Sequence, residues 1–161
     1  MKSNQLVSII MTCLNGEKYL RESISSIINQ TYKHWEIIFV DNNSTDQSKN
    51  IILSYGDDRI KYFKLNCTLN LGSVRNLALS KCSGEFISFL DVDDIWHKLK
   101  LEKQIEKFAN ENHIDVLYTN YYKFNKKYKE KIEKNLFNGK CQDKIIISYI
   151  NGLPLTAWLT L

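Results

Sequence analysis

The 161 residues are 43% hydrophobic and 25% charged, with six glycines and one proline. This excludes a disordered or fibrous chain and fits one domain that buries roughly two thirds of its unfolded surface. The net charge of +4 is local: residues 123–144 hold eight lysines against Glu130, Glu133 and Asp143, leaving −1 for the rest, and no nucleic-acid-binding motif accompanies them.

Nucleic acid is therefore not an expected partner. The plain reading of 123–144 is a solvated lysine-rich segment, and the functional one is peripheral contact with anionic lipid headgroups. Cys13, Cys67, Cys82 and Cys141 stand far apart with no CxxC pair, so neither a zinc site nor a disulfide framework is expected. They read as reduced thiols of a cytoplasmic protein.

The first element is LVSIIMT (6–12), an apolar run too short for a signal sequence and suited to a strand buried on both faces. EKYLRESISSIINQ then places Tyr19, Leu20, Ile24, Ile27 and Ile28 on one stripe of an amphipathic helix. WEIIFVD (35–41) is the second strand. A helix over SKNIILSY follows, with Ser44 or Thr45 as its expected cap. IKYFKLN is a third strand, Gly72 and Ser73 open a helix running to Leu79, and EFISFLD (85–91) is a fourth strand ending in acids. The spacing of Leu99, Leu101, Ile105 and Phe108 predicts a helix over 97–110, and IDVLYTNYY a strand after it. Strands alternating with helices predict an α/β fold with a mostly parallel sheet and helices on both faces.

The tail differs. Ile145 to Leu161 carries Ile147, Ile150, Leu153, Leu155, Trp158 and Leu161 with little charge, while Gly152 and Pro154 argue against a membrane span. An apolar terminus predicts that a partner surface covers it, and a second copy of the chain is one candidate.

Ligands of parallel α/β sheets bind beyond the carboxyl ends of the strands, and three polar clusters fall there. They are Thr12-Cys13-Leu14-Asn15, Asp41-Asn42-Asn43-Ser44 and Asp91-Val92-Asp93-Asp94. Three acids within four residues repel unless solvated, hydrogen-bonded or holding a cation. Mn²⁺ or Mg²⁺ prefers oxygen and needs one or two carboxylates plus substrate phosphate, so Asp91 and Asp93 are candidate metal ligands, with Asp94 as a helix cap the plainer alternative. Arg75, read as lying in the first turn of the helix opened by Gly72, is a candidate for an anion.

The segments VSIIMTCLNGEKYLRESISSIINQTYKHWEIIFVDNNSTDQS, NLGSVRN and GEFISFLDVDD together resemble the family 2 glycosyltransferases of GT-A fold, over residues 6 to about 120. Their order and spacing are far more specific than a bare DxD. The resemblance implies a nucleotide-sugar-binding domain at 1–124 and the start of an acceptor-side region at 125–161. It implies donor contacts at Thr12, Cys13, Leu14, Asn15 and Glu17 around the nucleoside, at Asp41 and Asn43 near base or ribose, and at Arg75 near the diphosphate. Asp91 and Val92 would lie near ribose or metal, and Asp93 would ligate the metal.

Two departures bear on the base: Leu14 stands where the family often has an aromatic, and Asn42 where it often has a second acid. The implied reaction is inverting, metal-dependent transfer from a UDP-linked or related nucleoside-diphosphate sugar to a glycan or lipid-linked acceptor. No residue is assigned as the catalytic base, which the family carries beyond this segment, and the chain alone is expected to bind donor without transferring sugar. His97 and His113 read as structural. Two alternatives remain, a non-catalytic binding module and a haloacid-dehalogenase-type phosphatase. The latter takes FISFLDVDDIW as its first motif, although three strands precede it here.

Overall fold

The computed structural model describes residues 5–111, 114–117, 119, 122–125 and 128–133. His113 and the apolar segment Ile145 to Leu161 lie outside them, as does the lysine-rich stretch from residue 134 onward.

Four parallel strands, β1 (Val7–Cys13), β2 (Trp35–Asp41), β3 (Ile60–Lys64) and β4 (Phe86–Phe89), form a sheet in the order β3-β2-β1-β4. Helices α1 (Leu20–Ile28), α2 (Ser48–Leu53) and α3 (Leu71–Leu79) make the crossovers, and α4 (Lys100–Asn110) follows β4. The two central strands are the apolar runs of the sequence. Alternation sends Val7, Ile9, Met11 and Cys13 with Ile37 and Phe39 to one face, where Leu20, Ile24 and Ile27 of α1, Ile51 and Ile52 of α2, and Leu101 and Ile105 of α4 cover them. Ile10, Ile38, Val40 and Ile87 point to the other face, against Val74 and Ala78 of α3. Each large aliphatic side chain so buried contributes about 1.5 to 3 kcal/mol before entropy is counted.

A polar network crosses the start of this sheet. The Ser8 hydroxyl donates to Glu36 Oε1 at 2.6 Å, the Ser83 N–H donates to the same oxygen at 2.7 Å, and Lys61 Nζ meets Glu36 Oε2 at 2.6 Å. The Gly84 N–H donates to Ser8 Oγ at 2.8 Å. Burial alone would raise the Glu36 carboxyl, but the bonds from Lys61, Ser8 and Ser83 and the lysine's charge outweigh it and hold the group below its usual range. At Gly84 a Cβ would stand 2.6 Å from the Leu6 carbonyl oxygen and 2.7 Å from the Ser8 nitrogen, so only glycine lets β4 approach β1 this closely.

Two elements differ from the sequence expectation. Helix α2 opens at Ser48, with Gln47 as its cap residue, because the Ser44 hydroxyl is engaged by a different loop. Of the strand expected over 114–122, the described residues carry only a bridge at Val116, with residues 118, 120 and 121 lying outside them. Next, β5 (Tyr122–Asn125) pairs antiparallel with β6 (Tyr128–Glu133).

Candidate functional site

The carboxyl ends of β1 and β2 are in register, Cys13 opposite Asp41, and β4 ends at Phe89 beside Ile10, so that the loop carrying Asp91 to Asp94 continues toward the same edge. All three clusters therefore meet along one edge. Asp41 is fully buried. Its Oδ1 accepts from the Ser44 N–H at 2.7 Å, and its Oδ2 accepts from the Tyr62 hydroxyl at 2.7 Å. Burial, and then the acceptor carboxylate, raise the Tyr62 phenol far above its ordinary value, so it remains a donor at any physiological pH. Asp41 thus organises the turn after β2, with both oxygens engaged inside the protein.

Asn42 and Asn43 shape the neighbouring loop. The Asn42 amide nitrogen donates to the Leu69 carbonyl and its oxygen accepts from the Leu69 N–H, both at 2.9 Å. An acid here would only accept, so the asparagine, one of the two departures, suits the clamp it makes. Asn43 and Asn15 both hold positive φ, at 69° and 57°, a conformation asparagine tolerates better than most residues.

The β1–α1 loop lies against the β2–α2 loop. Asn15 and Glu17 spend polar groups on this contact, the N–H of Asn15 donating to Ser44 Oγ at 3.0 Å and Glu17 Oε2 accepting from the Gln47 N–H at 2.8 Å. Gly16 fills the crowded point between strands: a Cβ would come 2.9 Å from Cys13 Sγ and 3.1 Å from Val92 Cγ2. Cys13 is buried, and burial raises its thiol, so it packs rather than reacts. Thr12 and Val92 are half-buried, whereas Leu14 is half exposed at 50% and offers an aliphatic surface on the rim.

Beyond β4 the acids gather on the outside. Asp91, Asp93 and Asp94 are exposed residues, and the Asp94 N–H donates to the Asp91 carbonyl at 3.0 Å, folding the three into one turn. Partial burial, followed by the charges of Asp91 and Asp93, raises the Asp94 carboxyl. Asp94 does not cap α4, whose cap residue is Leu99 without a side-chain bond. Arg75 reaches this turn from α3, at the start of the helix's second turn rather than its first. Its Nη2 donates to Asp91 Oδ1 at 3.0 Å, with the guanidinium 5.7 Å from the Phe89 ring. On the α1 side, Ser23 Oγ donates to the Asp91 carbonyl at 3.3 Å and the Trp96 N–H donates to Ser26 Oγ at 3.1 Å, which fixes the acidic loop to the helix. His97 Nδ1 accepts from the Leu99 N–H at 3.3 Å, a local structural role.

Among the described residues no three His, Cys, Asp or Glu side chains converge on a metal position. The hard-oxygen donors and mutual repulsion at 91–94 nonetheless suit a divalent ion completed by phosphate oxygens. A cavity of about 260 Å³ lined by Glu85, Phe86, Phe108, Ile114 and Asp115 opens at the start of β4 and holds none of these groups. The three polar clusters lie on the open edge instead. Sequence reading missed Asp46, Tyr62 and Ser48. Tyr62 pairs with Phe39, two residues from the level of Asp41, a placement that only the β2–β3 register reveals.

A parallel sheet of this order, flanked by helices and with an acid-bearing loop after its fourth strand, has the α/β architecture of the GT-A fold. The chain belongs to glycosyl transferase family 2, whose profile matches residues 8–156. It is 43% identical over 116 residues to the Escherichia coli UDP-Glc:alpha-D-GlcNAc-diphosphoundecaprenol beta-1,3-glucosyltransferase WfgD, covering 72% of this chain and 46% of that protein. It is 38% identical over 118 residues to the putative teichuronic acid biosynthesis glycosyltransferase TuaG of Bacillus subtilis, with the same coverages of 72% and 46%. Among solved structures, S. aureus TarS in complex with UDP-GlcNAc superposes with a TM-score of 0.71 at 31% identity, over 83% of this chain and 38% of that one. The chain thus spans about half the length of the curated relatives it matches. Among the described residues no helix is long and apolar enough to cross a membrane.

Proposed function

We propose that these residues form the donor-binding half of a metal-dependent, inverting glycosyltransferase that uses a UDP-linked sugar and a glycan or lipid-linked acceptor hydroxyl. The observation that carries this reading is the turn at 91–94, where three acids and Arg75 share one exposed edge beside the β1 and β2 loops. Asp93 and Asp91 would hold Mn²⁺ or Mg²⁺. When bound, the ion supplies charge neutralisation for the diphosphate leaving group. Arg75 would add a fixed positive charge on the same side, where preorganised charge is most effective against a developing anion. The buried Asp41–Tyr62 pair and the Asn42–Leu69 clamp would hold the base side of the edge, and Leu14 would flank the base with aliphatic surface.

UDP is preferred over other nucleotides because the relative WfgD is named for a UDP-sugar and TarS was captured with UDP-GlcNAc. The lipid-linked acceptor rests on the acceptor in the name of WfgD. Family membership leaves the phosphatase alternative without support. Peripheral membrane contact through 123–144 would suit such an acceptor. Transfer itself is proposed for a protein of the relatives' length.

Calorimetric titration with UDP, GDP and dTDP, with and without Mn²⁺, tests the reading. UDP should bind more tightly than the other two, only with metal, and the metal-dependent part should vanish in Asp93→Ala. Metal-independent binding, or an Asp93→Ala variant that binds as tightly as wild type, would overturn the ligand assignment.

A further inference from the structure

Glu17 and Asp46 face each other across the two loops at the donor edge, and each accepts a backbone N–H belonging to the other's loop. The Glu17 N–H donates to Asp46 Oδ2 at 2.9 Å, and the Gln47 N–H donates to Glu17 Oε2 at 2.8 Å. Further bonds cross the same seam: Asn15 N–H to Ser44 Oγ at 3.0 Å, Thr45 N–H and hydroxyl to Asn15 Oδ1 at 2.9 and 3.4 Å, and Gly16 N–H to Ser48 Oγ at 2.9 Å.

We propose that Glu17 and Asp46 are positioning residues, a reciprocal latch that holds the β1–α1 and β2–α2 loops in the shape that receives the nucleotide without touching it. The proposal rests on the nucleotide-binding reading above and refines the role of Glu17 within it. Neither α1 nor α2 has a side-chain bond from its own cap residue. The backbone donors where α2 opens are met instead by Glu17 from the other loop and by Asp46, whose Oδ1 takes the Ser48 N–H at 2.9 Å. A carboxylate engaged in this way is directed along the seam and anchors backbone on the far side. Desolvation would raise the Asp46 carboxyl, but hydrogen bonds from Ser48 and the Glu17 N–H outweigh it and hold the group below its usual range, in keeping with two oxygens that both accept. Glu17 and Gln47 are exposed residues, so water competes for each bond singly; the reciprocity and the shared seam give the loops a single arrangement.

The latch acts through the fraction of molecules whose loops are in the receiving shape, so its loss raises the apparent dissociation constant by the inverse of that fraction. It needs an acceptor oxygen at the right reach, not a charge. UDP titration in Mn²⁺ is therefore compared across Glu17→Ala, Glu17→Asp and Glu17→Gln, with Asp46→Ala beside them, at a temperature where each variant is folded by circular dichroism. Amide hydrogen exchange of Glu17 and Gln47 is read without ligand. Glu17→Ala, Glu17→Asp and Asp46→Ala should weaken UDP by about 5- to 20-fold and speed exchange at the freed amide, while Glu17→Gln stays within about threefold of wild type. Glu17→Asp is the arm that keeps the charge but loses the reach, should the alanine variant not fold. A glutamine variant as damaged as alanine would overturn the proposal, because the charge itself would then face the ligand. Faster exchange with wild-type affinity would also overturn it, reducing the latch to a structural contact. Should wild-type protein bind no UDP, the donor reading fails on its own account, and unchanged exchange in both alanine variants would remove the latch as well.

Discussion

At the start of the strands, Ser8, Glu36, Lys61, Ser83 and Gly84 tie β1, β2, β3 and the approach to β4 together, with both oxygens of the buried carboxylate occupied. At the ends of the strands, Asp91, Asp93 and Asp94 lie exposed, and Asp94 is raised toward its neutral form by partial burial and its neighbours' charges. Both clusters use acids and a cationic partner. What separates them is satisfaction: the first has a donor for every lone-pair direction that matters, and the second has more negative charge than the protein supplies donors for. Acidity alone is a poor guide to a site, whereas an unmet electrostatic demand on an accessible edge is a good one.

This contrast is sharpest in Glu36→Ala, which should lose stability without a direct effect on nucleotide affinity. It leaves the Ser8 hydroxyl and the Ser83 N–H without their acceptor, at about 2 to 4 kcal/mol in total, read as a loss in denaturant midpoint. Because the folded carboxyl lies below its ordinary value of about 4.3, its stabilisation is present above that pH and is lost as pH falls through the folded value. The difference between wild type and variant should therefore shrink on acidification. A difference that stays constant from pH 7 to 3 would mean that the charge of Glu36 contributes nothing.

Gly84→Ala comes next, at about 1 to 3 kcal/mol, because the clashing atoms are backbone of Leu6 and Ser8 and cannot swing aside. A thermal midpoint within 2 °C of wild type, roughly 0.5 kcal/mol at this size, would show that β4 can shift along the sheet edge.

The smallest effect in free energy belongs to the other end. Arg75→Ala should weaken UDP by about tenfold and uridine by less than about twofold, the low end of a charge-assisted contact because the arginine is partly exposed and already paired with Asp91. Equal losses for both ligands would place the guanidinium away from the diphosphate and erase the electrostatic half of the contrast.

Much of this was legible in the chain itself. The runs around Val7 to Thr12 and Trp35 to Val40 announced central strands because residues buried on both faces leave no polar alternation to confuse them. The acidic turn was legible because charge crowding shows in sequence. The seam between the loops was not. Ser44 looked like a helix cap, since serine before a helical pattern usually is one, and nothing local says that its oxygen is taken by Asn15 from 29 residues away. Asp46 and Tyr62 escaped for the same reason, as their partners are set by the register of non-adjacent segments. Ser8 and Glu36 were visible as polar residues inside apolar runs, a pairing that becomes meaningful only when β1 and β2 are aligned Ser8 to Glu36.

The strand order has a consequence for how the chain is made. β1 leaves the ribosome first, yet its second neighbour is β4, with Val7 set opposite Phe86. At 5 to 20 residues per second, roughly 4 to 16 s pass between the synthesis of those two positions. Throughout that interval a central, largely apolar strand has one edge unpaired, the kind of edge that templates pairing with another chain. Slowing synthesis between the β1 and β4 codons is therefore expected to lower soluble yield, and speeding it to raise it.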